Sequence, residues 1–129
     1  MSALFDPGRE GFLDGSIDWD TDDIRVMLVK STYSFNAAHK FISDLGSVDN
    51  GRSAALASKT VTNGVADAAD TTIAATAAVA CNGLIVFKHT GSDATARLVC
   101  MIDVSAFTPS AGQVLNVAFD NGANKIFKL

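Results

Sequence analysis

Two cysteines, two prolines, two histidines, one tryptophan and one tyrosine are all that 129 residues carry of those types. Each scarcity removes a class of protein. Cys81 and Cys100 are too few for a disulfide-stapled scaffold, and a disulfide between them is not expected; they read as small apolar core residues of a chain made in a reducing cytoplasm. No two of His39, His89, Cys81 and Cys100 stand at the short spacing of a CxxC or HxxxH pair, so no metal site is expected. Positive charge is scarce as well. Ten Lys and Arg against fourteen Asp and Glu leave a formal charge of −4, the wrong sign for neutralising a phosphate backbone, and no nucleic-acid partner is expected. No window approaches the ~20 apolar residues of a membrane span. The start, MSALFDPGRE, lacks the basic n-region and apolar stretch of a secretory signal.

Catalytic motifs are missing too. There is no G-x-S-x-G elbow, no P-loop and no G-x-G-x-x-G, and no cysteine–histidine context for a nucleophile. No enzyme and no cofactor is expected. The acidic run Asp18, Asp20, Asp22 and Asp23 resembles the start of a calcium loop. Counted from Asp18, however, the obligatory glycine and bidentate glutamate positions hold Asp23 and Val29, so a solvated acidic turn is the better reading. Asp67 and Asp70 are read as Asx-type turn residues rather than a carboxylate pair. The scattered Lys88, Arg97, Lys125 and Lys128 are polar edge residues that discourage sheet aggregation.

What is present is apolar and punctuated by turns. Hydrophobic residues make up 48%, enough for one packed domain over 1–129, with the phenylalanines and Trp19 supplying bulk that an alanine-rich middle lacks. Ile24 to Lys30 is a near-continuous branched run and reads as a buried strand. Ala38, Phe41, Ile42 and Leu45 repeat at helical spacing behind Asn36 and before Gly46, predicting one short helix over residues 37–45. Gly8 to Gly15 could close a single helical turn with Phe12 and Leu13 facing inward, and Ser47 to Arg52 reads as a loop. From Ser53 onward the text is β in character. Lys59–Thr62, Thr71–Ala75, Gly83–His89, Ala96–Asp103, Val114–Phe119 and Lys125–Leu129 are strand candidates. In the Ala96 strand, Ala96, Leu98, Cys100 and Ile102 are expected on one face, with Arg97, Val99, Met101 and Asp103 on the other. Asn-Gly pairs at 50–51, 63–64, 82–83 and 121–122 mark turns. The fold expected is mainly β: a compact sandwich or small barrel of short antiparallel strands with that one helix. The last fifteen residues, LNVAFDNGANKIFKL, read as a hairpin turned at Asn121-Gly122 whose final strand is buried in a sheet or covered by another subunit.

Several stretches are similar to a family of small virion structural proteins of tailed bacteriophages. They are GREGFLDGSIDWDTDDIRVMLV, SFNAAHKFISDL, KTVTNGVADAADTTIAA, FKHTGSDATARLVCMID and FDNGANKIFKL, of which VTNGVADAAD and DNGANKIFKL are the most specific. Two cysteines and a shortened segment around Asp44 to Arg52 depart from that family's pattern. The resemblance spans nearly the whole chain. It implies a protein made in the host bacterial cytoplasm and built into the virion. Members are structural, minor capsid or decoration-type proteins. The expectation is a head decoration, or cement, protein that binds the phage major capsid protein as a homo-oligomer, dimer or trimer. Its interface anchors are expected to be Phe5, Trp19, Phe127 and Leu129, because aromatic and apolar residues near ends and edges carry most interface energy. The competing expectations are a tail, neck or fibre-base component, or a host-surface or carbohydrate-binding module, for which one tryptophan and one tyrosine are a thin supply.

Overall fold

In a computed structural model, which describes residues 2–129, the chain is mainly β. Among the described residues there are ten strands: β1 (Ser2–Leu4), β2 (Ile24–Lys30), β3 (Asp49–Arg52), β4 (Thr60–Thr62), β5 (Val65–Asp67), β6 (Thr71–Ala74), β7 (Cys81–Lys88), β8 (Leu98–Phe107), β9 (Val114–Val117) and β10 (Phe127–Lys128). They form three antiparallel sheets: five strands in the order β1-β8-β7-β2-β3, three in the order β10-β5-β4, and the pair β6-β9.

Burial on both faces of the large sheet explains why β2 is apolar at every inner position. On one face Ile24, Val26 and Leu28 join Val86 and Cys100 against Ala66, Ile73, Val117 and Phe127 of the two small sheets. On the other face Met27 and Val29 join Ile85, Phe87, Leu98 and Met101 under Phe5 and a lid formed by Tyr33, Ile42, Leu45 and Val48. The molecule is therefore layered, with the large sheet in the middle.

The expected alternation of the Ala96 strand fails at one place. Val86 stands opposite Cys100 while Phe87 stands opposite Leu98, so Val99 is an extra residue in β8. This bulge puts Val99 and Cys100 in the same cluster and sends Leu98 and Met101 to the other face. The carbonyl freed at Val99 accepts the amide of Phe5 at 3.1 Å.

The helix is elsewhere than expected. Residues 37–45 give only a 3₁₀ helix at Ile42–Leu45. β8 takes the backbone ahead of it: Leu98 donates to the carbonyl of Lys40 at 2.9 Å and Ile42 donates to that of Ala96 at 3.1 Å. An α-helix would have to surrender both bonds. Among the described residues the one α-helix, α1, runs from Asp6 to Asp14, with Pro7 in its first turn and Gly15 closing it at φ 82°. Its glycines permit close docking, since a Cβ at Gly8 would lie 2.8 Å from the carbonyl oxygens of Leu98 and Val99. Phe12 packs inward, but Leu13 is 87% exposed, against expectation.

The Asn-Gly pairs part company. Asn63 and Gly64, at φ 53° and 78°, make the primed turn between β4 and β5. Asn121 and Gly122 have no positive φ; the Gly122 amide bonds instead to the side chain of Asp120 at 3.1 Å. The expected terminal hairpin does not form, because β9 pairs with β6 and β10 pairs with β5. Asn50 and Gly51 lie in β3, where a loop was expected, and Asn82 and Gly83 lie inside β7.

Candidate functional site

Several of the polar residues singled out by the sequence are paired with one another or with the backbone. In the acidic turn, the amide of Asp18 donates to Asp22 Oδ2 at 2.8 Å and the amide of Asp22 returns a bond to the carbonyl of Asp18. Asp22 also holds Lys88 at 3.2 Å, and Asp23 grips Arg25 through two bonds of 3.0 Å. The hydrogen bond from Arg25 lowers the pKa of Asp23, and a side-chain hydrogen bond with Asp18 raises that of Asp20. Among the described residues no group of three or more His, Cys, Asp and Glu could hold a metal ion. Both cysteines are free and buried. His39 Nδ1 lies 2.9 Å from the hydroxyl of Tyr33, and the two rings stack with centroids 5.7 Å apart. Burial raises the pKa of that phenol. Asp67 pairs with Lys125 at 3.4 Å, and Asp70 caps the amide of Phe119.

Of the four expected interface anchors, Phe5, Trp19 and Phe127 lie in the chain's own core, and Leu129 is exposed. The reason is packing. The Trp19 and Phe127 rings meet edge to face at 5.2 Å, the Phe12 ring packs tilted against Phe127 at 5.5 Å, and Trp19 Nε1 donates to the carbonyl of Asp67. Phe5 is fully buried between α1 and the large sheet, with the ring of Phe35 at 4.9 Å.

These buried aromatics nevertheless floor a surface feature. Phe12, Ile17, Trp19 and Phe127 line a groove of about 420 Å³ whose outer rim is Val61 and Leu129. The rim residues are 59% and 57% exposed. The groove runs along the three-stranded sheet, which is amphipathic. Val61, Ala66 and Phe127 are cross-strand neighbours on the groove face, while Thr60, Thr62, Asp67, Lys125 and Lys128 line a separate polar cleft. The outer strand, β4, is wholly exposed and has no hydrogen-bonded partner beyond it. Natural sheets usually blunt such an edge with charge or proline; Thr60-Val61-Thr62 has neither. The apolar groove and the open strand beside it form the best candidate for a contact surface. The sequence marked Lys59–Thr62 as a strand but missed Val61 as a contact residue. The Asn63-Gly64 turn was the signal, since a hairpin placed at a sheet edge must leave one strand unpaired.

A second groove, of about 490 Å³, lies between β8 and the segment from Val117 to Ile126; it is lined in part by Asp103, Asp120 and Lys125. Phe107 and Val114 are further exposed apolar residues, on β8 and β9. Compared with protein-family models, curated proteins and solved structures, the chain matches none.

Proposed function

We propose that this chain is a structural protein of a tailed-bacteriophage virion and, within the virion, a head decoration protein. It binds the assembled lattice of the major capsid protein and stabilises the shell by mass action, since a ligand of the assembled form alone favours that form. A dimeric or trimeric state adds avidity by engaging neighbouring capsomers together.

One observation carries the reading. The two stretches most similar to the phage family, VTNGVADAAD and DNGANKIFKL, are far apart in the chain, yet together they supply the β10-β5-β4 sheet except for Thr60. That sheet bears the exposed Val61 and Leu129. The most family-like residues therefore build the surface best suited to contact.

Purified protein mixed with expanded capsids that lack it should co-sediment with them, at a stoichiometry in the hundreds that follows the lattice repeat. A count of about six or twelve copies, the number in a ring, would move the assignment to the neck or tail. Absence of binding to capsids and tails alike would refute the virion reading.

A further inference from the structure

We propose that the β4 edge is a self-association surface at which two copies of this chain join β4 to β4′ about a two-fold axis centred on Val61. The three-stranded sheet then continues into a six-stranded one, in the order β10-β5-β4-β4′-β5′-β10′. The inference takes up the self-association of the proposed function, but its cross-linking and sedimentation measurements need no capsid, so the two can fail separately.

Backbone geometry favours this pairing. In a two-residue hairpin the residues flanking the turn form the hydrogen-bonded pair, here Thr62 and Val65. Alternation then directs the N–H and C=O of Val61 away from β5, and no other backbone group receives them. Around a two-fold axis at Val61, these two groups meet their own copies and exchange two hydrogen bonds, as an antiparallel hydrogen-bonded pair requires. The same register sets Thr60 opposite Thr62′.

Side-chain complementarity favours it as well. On the groove face the apolar row Phe127–Ala66–Val61, in which exposure rises from 3% through 4% to 59%, meets its own image. A row that stops at an exposed valine becomes continuous from one buried Phe127 to the other. On the opposite face each row reads Asp67–Thr60–Thr62′–Val65′–Lys128′. It ends with an acid at one side and a lysine at the other, and no like charges stand opposite each other. Lys59, which leads into the strand, meets Asn63′ instead of a second lysine.

The contact is short, so it belongs with small, reversible interfaces; a dissociation constant of about 10 µM to 1 mM is expected. The hydrogen-bonded pair brings the two residue-61 Cα atoms to about 5.5 Å, within disulfide reach. Val61→Cys should therefore cross-link to a dimer under mild oxidant, at least about tenfold faster than Val114→Cys, an equally exposed control. The native Cys81 and Cys100 are buried and do not compete. In sedimentation velocity, the unmodified chain should show a concentration-dependent dimer. Val61→Pro removes only an outward N–H, and Val61→Lys places charge on the axis; each should weaken the dimer at least about tenfold without lowering the melting temperature. A monomer at all concentrations up to about 1 mM, or a dimer untouched by both substitutions, would overturn the proposal. So would equal cross-linking at residues 61 and 114. Protection of residue 61 only when capsids are added would give this edge to the capsid protein instead.

Discussion

Replacing Phe127 by alanine should unfold much of this molecule's margin of stability, whereas the same change two residues later should do nothing measurable. Phe127 is 3% exposed and Leu129 is 57% exposed. Phe127 closes the contact between the three-stranded sheet and the large one, with the rings of Trp19 at 5.2 Å and Phe12 at 5.5 Å from its own. Truncating a buried phenylalanine costs about 3–5 kcal/mol, and losing two aromatic pairs puts this site toward the upper end of that range. A domain of this size has roughly 6–19 kcal/mol in all. At about 3–5 °C per kcal/mol, the melting temperature should fall by about 10–20 °C. Leu129→Ala should stay within about 0.5 kcal/mol of the parent, because little area leaves water there in the folded state. Thermal melts followed by circular dichroism, backed by urea titration to obtain the free energy, measure both. If Phe127→Ala melted within about 3 °C of the parent, the terminal strand would not belong to the core, and the layered packing described above would be wrong. Deletion from Lys125 onward removes Ile126 together with Phe127, both buried, and should leave no cooperative transition.

Asn50 is fully buried; its side chain bonds the carbonyl and amide of Ala77 and the hydroxyl of Thr76. Asn50→Ala strands these groups and should cost about 2–4 kcal/mol by urea titration, with the segment from Thr76 to Ala80 losing amide-exchange protection first. Acid should destabilise the fold in a defined window. Asp93 is held below the ordinary carboxylate pKa by its hydrogen bonds from Arg52, Asp23 by Arg25, and Asp44 by the amides of Phe41 and Lys40. Folded values below unfolded ones mean that this stability is present at neutral pH and is lost as pH falls below about 4. Asp93→Asn should flatten part of that fall, by less than about 1 kcal/mol since the pair is half exposed. Burial pushes the Cys100 thiol up to about 12. It should not react with a thiol reagent at pH 8 until the protein is unfolded, and a native reaction at Cys100 would contradict its place in the core.

Local chemistry wrote some elements legibly. The β class followed from threonine, valine and isoleucine runs between turn residues. β2 could be bounded to the residue, because a strand covered on both faces carries a continuous apolar run, here Val26 to Val29. Asn63-Gly64 was legible as a turn and Lys59–Thr62 before it as a strand, but the partner strand β5 was not among those expected, since three residues ending in an alanine-rich stretch carry too little apolar pattern. Tertiary structure decided the rest. The same dipeptide at Asn121-Gly122 makes no hairpin, since Ile73 and Ala66, remote in sequence, pair with the strands on either side of it. A helical period over residues 37–45 lost to backbone bonds offered by β8, while glycine-rich Asp6–Asp14 became the helix because Gly8 lets it lie against that same strand. The contact surface went the same way. Sequence identified which residues were aromatic and apolar, but burial depends on what packs over each one. Phe5, Trp19 and Phe127 were thus drawn into the core, and Val61, an ordinary strand residue, was left at an open edge.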